Sequence, residues 1–530
     1  VAPNVWADHA VPRALAPRPL FQELRNTVWS LPAAQLAIMI AGCLAMVYTQ
    51  LTMSPATVQF ARDYGATGLH IGILGALPTG MLFMQFLAAL AANHLKYRRR
   101  LWFWSTFVQR LLMLPLALGP WLLPDLSDQF WLWMLIVLTA INHGLIHFST
   151  PLWLSWMGDY LPHRGLSDYW GRRHCWMQLA AAASLLGGAM FMLKSGLDIR
   201  PAFSVLLIVG AVFGVADILL FIKVDEPAVT PAPNPRLREV LAAPFRHGDF
   251  RRFISFTCYW HIAAMVAAPF ISYFLLDYVG MDVYYVLLLW TCSWVGGAAL
   301  SGRLGRLAEV YGNRPLLIIC TVLKPLNVIA LLLTPRDPSI AFWLLTPVFM
   351  IDAALNAGIA IANNGFMIKN SPVENRTMFI AAGTALAGMV GGVTSIIAGA
   401  FLSWSMDRTW HVAGMTLCGF HVVFAVSMVL RVIAAFLAPG LREPSSQGVR
   451  IVVTELIGVT PIRILRFPLG LYMSRRAVTE RAEVPSTVEL TVVDVDPLET
   501  VGLESVPIEA SPLVASSEQA SQPVQHAKAA

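Results

Sequence analysis

GRLGRLAEVYGNRPL, residues 302–316, sets Arg303, Arg306, Glu309 and Arg314 between two long apolar runs and spaces Gly302, Gly305 and Gly312 among them. Charge is scarce elsewhere. Charged residues make up 13% of the 530-residue chain and hydrophobic ones 57%, with a mean hydropathy of +0.62. An ordinary soluble domain carries about 25% charged residues, so a basic, glycine-punctuated joint between greasy runs marks a turn at a membrane surface.

On either side of this joint the apolar residues fall into blocks of roughly 20 to 28, the length a helix needs to cross about 30 Å of hydrocarbon. Twelve such blocks run along the chain. Six precede the polar, Pro-rich break VDEPAVTPAPNPRLREV, among them LAIMIAGCLAMVYTQLTM, IGILGALPTGMLFMQFLAALA and AFSVLLIVGAVFGVADILLFI. Six follow it, beginning near Phe253, Val283, Leu316, Phe342, Met378 and His411. Their interiors hold Gly and Pro, which membrane helices tolerate. The expectation is an all-α membrane protein of twelve spans.

Charge fixes the orientation. With the N-terminus inside, the cytoplasmic joints hold Lys96, Arg98 to Arg100, Arg164, Arg172, Arg173, Arg236, Arg238, Arg251, Arg252, Arg303, Arg306, Arg314, Lys369 and Arg376. The opposite joints are short and hold mainly Asp125, Asp128, Asp277 and Asp282. That is the positive-inside pattern, and it accounts for the net charge of +6 without nucleic acid. Both termini are expected in the cytoplasm, the chain in the inner membrane.

The first 30 residues carry four prolines and scattered arginines, and the first apolar block is too long for the core of a cleavable signal; it is expected to stay as span 1. Cys43, Cys175, Cys258, Cys292, Cys320 and Cys418 stand singly in or beside spans, never as CxxC, which fits buried free thiols better than a disulfide or a metal site.

The chain repeats itself. Pro162 and Pro372 each follow an even-numbered span, about 210 positions apart, and 20 residues before each lies a polar group, Asn142 or Asp352. Arg110 and Lys324 each stand ten residues past the basic residue that opens their span, and Gly187-Gly188 echoes Gly391-Gly392. A six-plus-six duplication accounts for these offsets. The expected boundaries are an N-terminal segment 1–30, a first bundle 31–224, a central loop 225–250, a second bundle 251–438, an interfacial amphipathic segment 439–476 and a disordered acidic tail 477–530.

Within the opening stretch, Gly305, Leu307, Ala308, Glu309, Gly312 and Arg314 resemble the signature loop of the major facilitator superfamily, G-x-L-a-D-r-x-G-r-[KR], with Glu in place of the usual Asp. ALAANHLKYRRRL, between spans 2 and 3, is a degraded copy with Asn93 where the acid belongs. WMGDYLPHRGLSDYWGRR, after span 4, looks like the corresponding joint of bacterial members, and NSPVENRTMF after span 10 is its echo. The resemblance covers about residues 30–438 and is specific to the superfamily; no subfamily is assigned. It implies two pseudo-symmetric bundles. It also implies that Gly305, Arg306, Glu309, Gly312 and Arg314 form a gating loop, whose Glu309 latches against the start of span 5 at Arg172 and Arg173 in one state and releases in the next. The facing joint would set Asn93 towards Arg376 with no carboxylate, so Glu309 makes the stronger side of an asymmetric gate. Anchoring of the loop to headgroups is the bland alternative.

Ionisable groups inside spans are costly and mark pathways or partners. They are Arg110, His143, His147, Asp217, His261, Lys324, Asp352, His421 and Arg431. Asp217 and Arg431 lie close enough to span ends to snorkel. Arg110 and Lys324, about 15 Å from the inner face by helical rise, either face a cavity or brace neighbouring helices. By the resemblance, spans 1, 4, 7 and 10 line the cavity, so Gln50, Asn142, His143, His147, Tyr259, His261, Asp352 and Asn356 become candidate solute contacts, with Tyr48, Thr49 and Trp260 beside them. Counting back from Asn370 puts Asp352 about 27 Å from the inner end, too far to assume that it pairs with Lys324. For each histidine, a neutral ring bonded to a backbone carbonyl is the plainer expectation.

No HExxH, P-loop or Ser-His-Asp set is present in the sequence. The reading is a secondary transporter that moves a small solute by alternating access, with a proton or another ion as the coupling species, no cofactor and no enzymatic activity, working as a monomer in the bilayer. A transporter-like receptor or assembly protein that keeps the fold without transport is the alternative.

Overall fold

The computed structural model describes residues 33–93, 95–161, 166–227, 248–370, 376–406, 408–412, 415–443, 446, 448–450 and 452–453. The expected N-terminal segment, most of the central loop, most of the interfacial segment and all of the acidic tail lie outside these residues. Among the described residues, twelve helices are long and apolar enough to cross a membrane. In chain order, spans 1 to 6 are Ala33–Asp63, Gly68–Ala88, Arg99–Leu122, Asp128–Met157, Arg173–Lys194 and Ile199–Ile222. Spans 7 to 12 are Phe250–Asp277, Val283–Ser301, Asn313–Leu332, Pro338–Met367, Gly383–Ser405 and Gly419–Gly440. Helices satisfy every backbone group internally, which hydrocarbon demands; the described strands are one short antiparallel hairpin, Trp410–Val412 with Met415–Leu417, between spans 11 and 12.

The spans alternate in direction, so the molecule has two ends. The basic end carries the Arg-rich joints 2–3, 4–5, 8–9 and 10–11, and the distal end carries the short joints 1–2, 3–4, 5–6, 7–8, 9–10 and 11–12. Between the two halves, span 2 packs on span 11 and span 5 on span 8.

The span 2–span 11 contact is close because neither helix has side chains in the way. A Cβ on Gly72 would stand 2.7 Å from the Ser395 carbonyl oxygen, and one on Gly399 would stand 2.6 Å from that of Gly68. Ser395 donates to the Gly72 carbonyl at 2.8 Å, and Ser403 accepts from the Leu69 amide at 2.7 Å. Small residues at membrane helix crossings allow this approach.

The apolar core divides unevenly. One cluster at the distal end joins both halves, from Phe60, Tyr64 and Ile71 through Phe203 to Phe270, Phe274, Leu402 and Phe424. Towards the basic end, each half has its own: Trp102, Trp156 and Phe221 in the first, Phe253, Leu316 and Phe366 in the second. The halves are therefore fused at one end and separate at the other.

At the basic end, each bundle closes on itself by the same device. Beyond span 6 the chain makes a 3-10 turn, Leu220–Lys223, and Glu226 then accepts from the backbone amides of Arg98 and Arg99 at the start of span 3. Beyond span 12 it makes a 3-10 turn, Ala438–Gly440, and Glu443 accepts from the Arg314 amide at 2.7 Å and the Asn313 side chain at 2.9 Å at the start of span 9. A carboxylate at exposed helix-start amides meets orphan donors and the positive end of the dipole. Both glutamates stand in a Glu-Pro pair, at 226–227 and 443–444.

Candidate functional site

Halfway along each bundle, a polar cluster is built by equivalent spans. In the first half, Asn142 of span 4 is fully buried. It donates to the Tyr48 hydroxyl at 2.6 Å and accepts from Gln109 at 3.0 Å, while Tyr48 donates to the Gln109 carbonyl at 2.9 Å. Arg110 forks onto one oxygen of Asp217 through Nε at 3.0 Å and Nη2 at 2.8 Å, and gives Nη1 to Gln109 at 2.8 Å. Its guanidinium lies 4.4 Å from the centre of the Tyr48 ring. Gly214 makes room: a Cβ there would stand 2.5 Å from the arginine's Cδ.

In the second half, Lys324 of span 9 donates to Asp352 of span 10, whose oxygens also accept from Asn327 at 2.7 Å and Asn356 at 2.9 Å. Lys324 is 3% exposed, but Asp352 keeps 31% of its side chain open and Asn356 is exposed. Arg431 of span 12 donates to Ser427 at 3.1 Å and lies 5.9 Å from the Trp260 ring of span 7. The matching pairs, Arg110 with Lys324 and Asp217 with Arg431, are each 214 positions apart, and Asn142 with Asp352 is 210 apart.

Two expectations change here. Lys324 and Asp352 do pair. Asn313 lies against Gly365 and Cys320 against Gly358, so spans 9 and 10 run antiparallel in a register that sets Lys324 opposite residue 354, within half a turn of Asp352. The helix of span 10 extends to Asn370, beyond the start of span 9, so counting from its end overstated the depth. Asp217 and Arg431 do not snorkel either: they are 2% and 5% exposed and sit inside the clusters. Their nearness to span ends hid which way they point; the shared 214-residue offset was the signal available.

The remaining candidates scatter. Gln50 is buried on span 1. His147 bonds the Pro78 carbonyl of span 2 at 2.7 Å, where that helix tightens into a 3-10 turn, and its ring stacks 6.4 Å from that of His143. His261 bonds its own helix at Thr257 at 2.8 Å. The Tyr259 hydroxyl is buried with no hydrogen-bond partner among the described residues.

In the loop between spans 8 and 9, Gly312 adopts φ +97°, and a Cβ there would meet Ser446 at 2.7 Å. The turn between spans 8 and 9 therefore requires glycine. Arg314 donates to the Pro439 carbonyl at 2.8 Å, within its own bundle. Gly305 has open space around it, and Glu309 is exposed with no ion pair to a described residue. Arg173 stacks 4.8 Å from the Trp153 ring and lies against Gly42 of span 1. Glu309 and Arg173 are thus not joined in this state. The side chains of Asn93, Arg172, Arg306 and Arg376 lie outside the described residues. Tyr169, one turn before Arg173, donates to the Gln35 carbonyl at 2.9 Å, and burial pushes its pKa up to about 12 against a smaller opposing pull from Arg173.

Across the distal end runs an ion pair between the halves: Arg62, at the end of span 1, donates to Asp277, at the end of span 7, at 2.6 Å. The equivalent acid of the first half, Asp63, is held within its own bundle by Arg200, which also binds Asp128.

No family model and no curated protein sequence matches the chain. Among solved structures, it is similar to a variant of the nucleoside transporter NupG, with a TM-score of 0.60 at 14% identity, covering 77% of this chain and 100% of that one. It is similar to the D-xylose–proton symporter, with a TM-score of 0.59 at 12% identity over 78% of this chain and 98% of that one. A bacterial homolog of the human lysosomal transporter Spinster, inward-facing and unoccupied, matches with a TM-score of 0.57 at 15% identity over 77% of this chain and 97% of that one. Likeness at these identities establishes the fold alone: the chain shares the twelve-helix fold of these transporters.

Proposed function

We propose that the chain is a secondary transporter that carries a small solute across the inner membrane by alternating access, as a monomer with both termini in the cytoplasm. The observation that carries this reading is the divided core: one apolar cluster seals both halves together at the distal end, while the basic end has two separate cores. Two bodies joined at one end only can rock about a central site. With the basic end cytoplasmic by the charge rule, the state is closed outward. The Arg62–Asp277 pair and the Gly72–Ser395 contact form the outer gate, and Glu309, exposed and with no ion pair to a described residue, is the inner latch in its released state.

The solute site lies between the clusters, where Asp352 and Asn356 of span 10 are open, with the partly exposed His143 and His147 of span 4 as its candidates from the first half. As solute binds, Asp352 releases its lysine partner and takes up a proton in its place, which couples transport to a proton gradient. The folds it resembles include nucleoside and sugar–proton transporters. Reconstitution tests the reading: proteoliposomes holding the chain should exchange a solute from a broad panel by counterflow, and a proton gradient should accelerate net uptake. A protein that binds solute without exchange would belong instead to the receptor class.

A further inference from the structure

The duplication leaves one charge over. In the first bundle the buried base has its acid, since Arg110 places Nε and Nη2 on Asp217 and Nη1 on Gln109. In the second bundle the position matching Asp217 is another base, Arg431. The single carboxylate of that cluster, Asp352, is already occupied by Lys324, Asn327 and Asn356. Arg431 is 5% exposed, within electrostatic range of both Lys324 and Asp352. Its Nε goes to Ser427. Among the described residues no acceptor meets either Nη and no carboxylate pairs with the guanidinium, and neither Nη is sealed by protein. A guanidinium so deep in the bundle without an anion is strongly unfavourable.

We propose that Arg431, backed by Lys324 and by the Trp260 ring, binds the anionic group of the transported solute, and that this solute is a monocarboxylate. The excess is one positive charge, which a monoanion cancels. Two parallel Nη donors present a planar fork that matches a carboxylate's two oxygens. The assignment rests on the reading of the chain as a transporter, and binding and transport are separable in the test.

The full chain, purified in detergent, is melted in the presence of acetate, pyruvate, benzoate or nicotinate, each compared with its carboxamide. At least one acid should raise the melting temperature by several degrees while its amide does not. The shift should vanish in Arg431→Gln and survive in Arg336→Gln, which lies at the distal end. With no solute added, Arg431→Met should melt at or above the wild-type temperature, because it removes an uncompensated charge. A response to no acid, an equal response to the amides, an undiminished shift in Arg431→Gln, or a drop of several degrees in ligand-free Arg431→Met would each overturn the site. Counterflow of the same acids in proteoliposomes separates the two levels: an acid that binds but does not exchange upholds the site and contradicts transport, whereas exchange confined to neutral solutes upholds transport and overturns the site.

Discussion

Removing the carboxylate of Asp217 leaves the buried Arg110 guanidinium with its Nη1 bond to Gln109 and no partner for Nε and Nη2 among the described residues. Breaking a buried pair from one side costs about 3–5 kcal/mol, so Asp217→Asn should lower the melting temperature sharply, and adding Arg110→Met should recover much of the loss. Equal damage from the double variant would refute the pairing. Asp352→Asn strips buried Lys324 of its carboxylate in the same way, so it should lower the melting temperature as well; what sets it apart is transport, read as loss of acceleration by a proton gradient. The residues of these clusters were half legible in the sequence. Arg110, Asn142, Lys324 and Asp352 stood out because polar groups are rare in apolar runs. Their partners did not, because helical rise gives depth along a span but says nothing about which neighbour a side chain meets, and because span 10 outruns span 9 at the basic end.

At the scale of helices, the two glutamate caps and the glycine contact carry separate consequences. Loss of a helix-start cap costs about 1 kcal/mol, so Glu226→Ala and Glu443→Ala should each speed hydrogen exchange in the first turn of spans 3 and 9 respectively and leave the other bundle unchanged. Exchange altered in both bundles by either variant would contradict the view that each cap serves its own half. The opening joint was read from local glycines and charges, and Gly312 and Arg314 do shape it. The acid that caps span 9 is Glu443, 129 residues from Arg314, and only its repetition as a Glu-Pro pair after spans 6 and 12 pointed to it. In the membrane core, Gly72→Val places methyl groups against the Ser395 carbonyl and should pry span 2 from span 11. A cysteine at Ala76, buried in that contact, should then react with an impermeant maleimide from outside and remain unreactive in the parent.

For the whole molecule, the fold was legible because hydrocarbon imposes it: twelve apolar blocks, alternating charge at the joints and a repeat near 210 residues leave few arrangements. The conformational state was not legible, since it depends on how far one half is tilted against the other. Glu309 tests the inner side of that motion. If it latches span 8 to the start of span 5 when the basic end closes, Glu309→Gln should bias the population towards the state closed outward, seen as reduced labelling of the Ala76 cysteine in the Gly72→Val background. Unchanged labelling would assign Glu309 to headgroup anchoring. The most direct measurement of rocking uses pairs of spin labels in a chain freed of its six native cysteines. One pair spans the distal end, at Asp125 and Ser339, and the other the basic end, at Arg100 and Val310. On introducing Gly72→Val, the distal distance should lengthen while the basic distance shortens; a change confined to one end, or lengthening at both, would contradict two rigid halves turning about a shared central site.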